Sequence, residues 1–310
     1  MKLRGALLAV PAFFGVAALC GIVAHQNADD RRGRLEVDGR ERSYELHVPK
    51  NYDGNQPIPL VLALHGRFGT GAGEEKLAHL DKLSDKHAFW VVYPNGLGRS
   101  WADGRAATPS DKSGTDDVKF ISALIDNMEQ EYKVDTKRIY ATGMSNGGFM
   151  SGRLACDLSN RIAAVAIVAA SLSENTAATC NPVQPVSVMI IQGSDDPLVP
   201  LEGGTLRRGG SGGSVLSHQA AVQKFVELNR CNSQPKKEHL ADRANDGTTV
   251  DVEWYASCAD GTQVHGYVVN GGGHTWPSGM PYLPAAMIGK ATHNLDASEL
   301  IWHFFSGHHR

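Results

Sequence analysis

The sequence predicts an α/β chain, with a mostly parallel central sheet and helices on both of its faces. Three observations carry the prediction. Strand-like and helix-like segments alternate along the chain. Several strand-like runs are continuously apolar, as expected of strands covered on both sides. One of them ends in a glycine-flanked serine that opens a helix-like run.

Taken in order, residues 43–48 alternate polar and apolar side chains and read as a half-buried edge strand. Residues 59–64 form an unbroken apolar run and read as a central strand. Residues 74–86 read as a helix and 88–93 as the next apolar strand, followed by a polar, Gly-rich loop over 95–115. Residues 116–132 place Val118, Ile121, Leu124, Ile125 and Met128 at helical spacing, with Asp116 and Asp117 as cap and first-turn charges. A short strand over 138–142, a helix over 146–155 and strands over 162–169 and 186–191 come next. Residues 203–213 are rich in glycine and are expected to form a mobile loop. A helix follows over 215–228, then two late strands, 250–255 and 263–269, joined near Cys258. The final helix covers 296–305, where Asp296 and Glu299 have capping-box spacing with Asp in place of the usual Ser or Thr.

The chain has 310 residues, 42% hydrophobic and 20% charged, which is globular composition and suits one α/β domain over 29–310. The net charge of −3 comes without any Lys/Arg-rich run, so nothing points to nucleic acid or an anionic surface as partner. Lys2 and Arg4 precede an apolar stretch over 6–23 with small residues beyond it. Residues 1–28 therefore read as a secretory signal, with an uncleaved membrane anchor as the alternative. Cys20 follows the bulky Leu19, which argues against lipid attachment there. A secreted or periplasmic location is expected. Without Cys20, four cysteines remain: Cys156, Cys180, Cys231 and Cys258. Four allow three pairings, and the sequence-local one joins Cys156 to Cys180 and Cys231 to Cys258.

Gly143-Met144-Ser145-Asn146-Gly147 matches G-x-S-x-G between a strand and a helix. The turn must be tight, hence the glycines, and it lifts the serine above the sheet edge next to the unpaired N–H groups of a helix N-terminus. This reads as the nucleophile turn of the α/β-hydrolase fold, where acid and then histidine follow the serine in the chain. A serine hydroxyl needs a base. Of the histidines, His274 is best placed, in Gly271-Gly272-Gly273-His274-Thr275-Trp276-Pro277 between the last strand and the last helix. His265, His293 and His303 read as structural, and His308 and His309 as an unordered terminus. The acid belongs in Gly193-Ser194-Asp195-Asp196-Pro197. Asp196 is favoured because it lies at the top of that turn, leaving Asp195 as a solvated neighbour. The loop His65-Gly66-Arg67-Phe68-Gly69-Thr70-Gly71 should supply a second oxyanion donor, the backbone N–H of Arg67 beside that of Asn146, with His65 bonded within the loop. The same loop fails as a nucleotide site. Glu74 stands where G-x-G-x-x-G needs glycine, and Ala72 where the P-loop needs lysine. No metal-binding signature is present, and no cofactor is expected.

With Val91-Val92-Tyr93-Pro94-Asn95-Gly96 and Arg99-Ser100-Trp101 added to the serine and histidine motifs, the chain resembles the secreted esterases grouped as polyhydroxybutyrate depolymerases and feruloyl esterases, over roughly 35–307. The resemblance implies a Ser145–His274–Asp196 triad and the two disulfides named above. It departs at Arg67, where many relatives carry cysteine. It implies hydroxyalkanoate, feruloyl or acetyl esters as substrates, small or polymeric, with soluble esters favoured because no polymer-binding domain is expected beyond Gly307. Trp101 and Trp276 lie in loops at the carboxyl ends of strands and are expected to line the substrate pocket. A peptidase of the same fold and a non-catalytic cell-envelope binding protein are the competing classes.

Overall fold

The computed structural model describes residues 30–206, 212–232 and 234–310. The expected leader with Cys20 lies outside the described residues, as does the middle of the glycine-rich loop at 207–211. In chain order the elements are β1 (Asp30–Val37), β2 (Arg40–His47), β3 (Ile58–Leu64), α1 (Gly71–Ala78), α2 (Leu80–His87), β4 (Trp90–Pro94), α3 (Pro109–Lys112), α4 (Asp117–Glu131), β5 (Val134–Met144), α5 (Asn146–Asp157), β6 (Ala164–Val168), α6 (Glu174–Thr179), β7 (Ser187–Gly193), β8 (Gly204–Thr205), β9 (Ser214–Val215), α7 (His218–Leu228), β10 (Lys236–Leu240), β11 (Thr249–Tyr255), β12 (Val264–Asn270), α8 (Ala285–Ile288) and α9 (Ala297–Ser306).

The main sheet runs β1-β2-β4-β3-β5-β6-β7-β12-β11-β10. Its centre, from β4 to β12, is parallel, and antiparallel hairpins extend both ends. The period-2 alternation of the strands splits the core into two layers. In β3, Leu60, Leu62 and Leu64 pack with Phe120, Leu124 and Leu154 from α4 and α5, while Val61 and Ala63 pack on the other face with Leu83 and Phe305 from α2 and α9. Each fully buried Leu or Phe contributes about 1.5–3 kcal/mol of transfer free energy. A sheet covered on both sides therefore needs the unbroken apolar runs that the sequence shows.

Several expectations are corrected. The strand at 43–48 is not an edge. β1 pairs along it in antiparallel register and itself forms the border. The helix expected over 74–86 is two, broken at His79, which adopts φ 52° and donates its N–H to Glu75 O. β10 escapes hydropathy reading because its residues are mostly exposed. His308 is buried and ordered: its carbonyl accepts from Tyr140 Oη at 2.7 Å and its Nδ1 bonds Phe304 O. Both sequence-local disulfides are formed. Among the described residues, no helix is long and apolar enough to cross a membrane.

Candidate active site

The parallel strands all deliver their carboxyl ends to one rim, and the candidate residues follow β3, β5, β7 and β12. Ser145 ends β5 in a strained conformation, φ 55° and ψ −116°. Its N–H donates to Val168 O at 2.9 Å, tying the turn to the end of β6. A Cβ at Gly147 would stand 1.9 Å from Leu64 O, and one at Gly143 2.4 Å from the same oxygen. Only glycine lets α5 start this close to β3. Asn146 opens α5, and its side chain is locked: Oδ1 accepts from Trp101 N at 2.8 Å, and Nδ2 donates to Trp101 O and Asp103 Oδ2.

His274 Nδ1 lies 2.7 Å from Asp196 Oδ2, with both side chains almost fully buried. The other carboxylate oxygen accepts the N–H groups of Leu198 and Val199, each at 2.8 Å. Asp196 is thus an acceptor on every side, so the proton between the pair sits on Nδ1 and leaves Nε2 with its lone pair. The neighbouring Asp195 is exposed, and its side chain accepts the Ser194 hydroxyl rather than meeting His274. The histidine loop is seated by backbone bonds from Gly273 N to Lys290 O and His274 N to Ile288 O. Ser145 and His274 line one cleft, and no direct hydrogen bond joins their side chains.

The loop after β3 passes directly over the serine. A Cβ on Gly66 would lie 3.4 Å from Met144 O and 3.7 Å from Ser145 Cβ. The loop is held by Phe68 N to Arg99 O at 2.8 Å and Gly69 N to Gly66 O at 2.9 Å. His65 accepts from Gly96 N through Nε2 and donates from Nδ1 to Gly66 O, and burial lowers its pKa to about 4. It is a neutral strut, as expected. Arg67 lines the cleft, and its guanidinium lies over the Phe68 ring.

The cleft has a volume of about 790 Å³, within the range of small-molecule sites. Its walls are mainly apolar and include Phe68, Leu77, Leu198, Tyr282, Met287 and Ile288. Trp101 and Trp276 are not among them. Trp101 is fully buried, donates from its indole to His65 O at 2.8 Å and stacks near Phe120. Trp276 is 2% exposed and bonds Ser298 Oγ. Both support loops from beneath, because each indole N–H finds a buried acceptor.

Sequence reading missed three features. Asp103 is buried, pairs with Arg105 at 2.7 Å and holds Asn146. Asp117 is more than a first-turn charge: it pairs with Arg42 in the interior at 2.6 Å and accepts Ala102 N. Glu74 lines the cleft as a buried carboxyl. The contacts of Asp103 with Asn146 and of Asp117 with Arg42 span more than forty residues, and what marks Glu74 is its burial, so no spacing signal announced any of them. Among the described residues, no group of three His, Cys, Asp or Glu is placed to hold a metal ion.

Residues 42–222 match the family model described as Esterase PHB depolymerase. A protein named as an esterase, NocK of Nocardia uniformis subsp. tsuyamanensis, is 30% identical over 283 residues, covering 87% of this chain and 81% of its own length. Feruloyl esterase B of Piromyces equi is 28% identical over 242 residues, 75% of this chain but only 42% of that protein. A protein named as a feruloyl esterase C from Aspergillus niger is 31% identical over 205 residues, 64% of this chain and 70% of its own. Among solved structures, an acetyl xylan esterase from Aspergillus awamori superposes with a TM-score of 0.55 at 17% identity, over 79% of this chain and 94% of that one. At that identity the likeness speaks for the fold.

Proposed function

This chain belongs to the Esterase PHB depolymerase family and is a carboxylic ester hydrolase, and we propose that it works through a Ser145–His274–Asp196 triad and an acyl-enzyme. The observation that carries the reading is the buried 2.7 Å His274–Asp196 contact, made on the cleft that also holds the strained Ser145. The imidazole Nε2 takes the Ser145 proton as Oγ attacks the ester carbonyl carbon. The carbonyl oxygen becomes an oxyanion between the backbone N–H groups of Arg67 and Asn146. The C–O bond to the alcohol breaks, and His274 returns the proton to the leaving oxygen. Water then repeats the sequence on the acyl-enzyme and frees the acid. Asp196 accepts from Nδ1 throughout, fixing the tautomer and stabilising the imidazolium. Each oxyanion donor is worth roughly 3–4 kcal/mol in the transition state.

Residues 29–310 act in this reading as one catalytic domain. The two disulfides and the sequence of the leader support export to an oxidising compartment. The substrates are hydroxyalkanoate, feruloyl or acetyl esters. A fluorophosphonate probe should modify Ser145, located by peptide mass spectrometry. A panel of methyl ferulate, acetylated xylan, p-nitrophenyl butyrate, amorphous polyhydroxybutyrate and a peptide anilide then ranks the acyl groups. Turnover of the anilide with no ester cleaved, or labelling elsewhere than Ser145, would sink the reading.

A further inference from the structure

Among the polar groups of the cleft lining that the reaction above leaves idle, one is a carboxyl buried without a partner among the described residues. Glu74 sits in the first turn of α1, 2% exposed, and its Oε1 is buried with no hydrogen-bond partner among the described residues. It nonetheless belongs to the lining of the cleft, together with Leu77, Met144 and Ser145. It is not needed to cap its own helix. Thr70 Oγ1 accepts Gly73 N, and Asn95 Oδ1 accepts Gly71 N. Nor does an ion pair explain it, since burial alone accounts for its pKa, pushed up to about 8. A carboxyl in such surroundings keeps its proton at neutral pH and offers both a donor and an acceptor. A buried polar group with no protein partner is unfavourable unless something else completes it.

We propose that Glu74 is a specificity-determining residue whose carboxyl receives a hydroxyl carried by the ester substrate, so that the cleft selects hydroxyl-bearing esters over their deoxy counterparts. The proposal rests on the ester-hydrolase reading of the same cleft. A hydroxyl is the fitting group because it accepts from one carboxyl oxygen and donates to the other without bringing charge into an apolar wall. An ammonium would have to be desolvated there. A simple acetyl group would occupy little of the 790 Å³ and has no atom to pair with Glu74. The hydroxyl can belong to the acyl part or to the alcohol part of the ester.

The test is kcat/KM for three matched pairs: methyl 4-hydroxycinnamate against methyl cinnamate, methyl 3-hydroxybutyrate against methyl butyrate, and 2-hydroxyethyl butyrate against ethyl butyrate. They are measured with the wild type, Glu74→Gln and Glu74→Met. In at least one pair the wild type should prefer the hydroxyl ester by about tenfold, the discrimination that one hydrogen bond supports. The responsive pair identifies the part of the substrate that Glu74 reads. Glu74→Met should collapse that ratio towards one, mainly through KM of the hydroxyl ester. Glu74→Gln, which keeps a donor and an acceptor, should retain most of it. A merely structural role would move both members of a pair together and leave the ratio unchanged. Thermal unfolding of each variant separates a misfolded protein from a respecified one. A wild type without preference in any pair overturns the proposal whether or not the variants fold, as does a ratio that survives Glu74→Met. In both cases continued ester turnover leaves the triad reading intact. No turnover of any of the esters overturns both.

Discussion

A serine at φ 55° and ψ −116° occupies backbone space that costs about 1–3 kcal/mol and persists only where neighbours over-determine it. Here the neighbours are Val168 O, Leu64 O pressed against Gly147, and the clamp of Asn146 on Trp101 and Asp103. The strain holds the hydroxyl clear of the sheet rim, and removing that hydroxyl should be the most damaging change available. Ser145→Ala should lower kcat by about 10⁴–10⁶-fold with the unfolding midpoint nearly unchanged. The adjacent carboxylates give a sharper test. Asp196 meets His274 and two backbone N–H groups, while Asp195 is exposed. Asp196→Asn should cost about 10³–10⁴-fold in kcat because the amide cannot hold the Nδ1–H tautomer, and Asp195→Asn should stay within about threefold. Equal losses from the two would remove Asp196 from the triad. At this scale the sequence points to the serine, the histidine and both aspartates of the proposed site, because each follows a strand and the glycines around them mark close backbone approach. Glu74 was not legible. A carboxyl becomes informative only when its surroundings are known, and in the chain it looks like any helix first-turn charge.

At the scale of elements, what hydropathy can reveal is what the core demands. α4 shows its buried stripe of Phe120, Ile121, Leu124, Ile125 and Met128 because one face meets the sheet, and β3 shows its unbroken run because both faces are covered. β10 lies at the outer end of the sheet with a polar sequence, and only its pairing with β11 makes it a strand. The helix break at His79 is a left-handed residue without glycine, so no turn chemistry announced it. The loop after β4 illustrates the other limit. Its aromatic residue at the sheet rim suggested a pocket wall, yet Trp101 lies wholly inside and braces His65 and Asn146. Emptying that space removes a large buried side chain and leaves a cavity. Trp101→Ala should therefore cost about 3–5 kcal/mol in urea unfolding and lower activity alike on every ester. Selective loss on aryl esters with full stability would return Trp101 to the substrate wall.

For the whole molecule, the stability curve against pH should report how many titratable groups the fold has buried away from water. Burial holds His65, His218 and His265 near pKa 4 in the folded chain, against 6.5 for an ordinary histidine, and shifts His308 in the same direction. Between those values the unfolded chain binds more protons, so stability is complete above pH 6.5 and is lost as pH falls towards 4. Glu74 acts oppositely. Its folded pKa of about 8 lies above the ordinary 4.5. The folded state thus binds the extra proton, and the stability it contributes, present below 4.5, is lost as pH rises through 8. Below pH 6.5 several imidazoles outweigh the single carboxyl. Above it the carboxyl acts alone among these groups, at roughly 1.4 kcal/mol per pH unit, or roughly 2 kcal/mol by pH 8. The unfolding midpoint of the wild type should therefore peak near pH 6.5 and fall by a few degrees towards pH 8. Glu74→Gln carries no titratable proton there and should flatten the alkaline side while leaving the acid side in place. A wild-type midpoint that climbs steadily from pH 6.5 to 8 would mean that the Glu74 carboxyl is already ionised in the folded cleft. That would strip the substrate contact proposed for it of its donor.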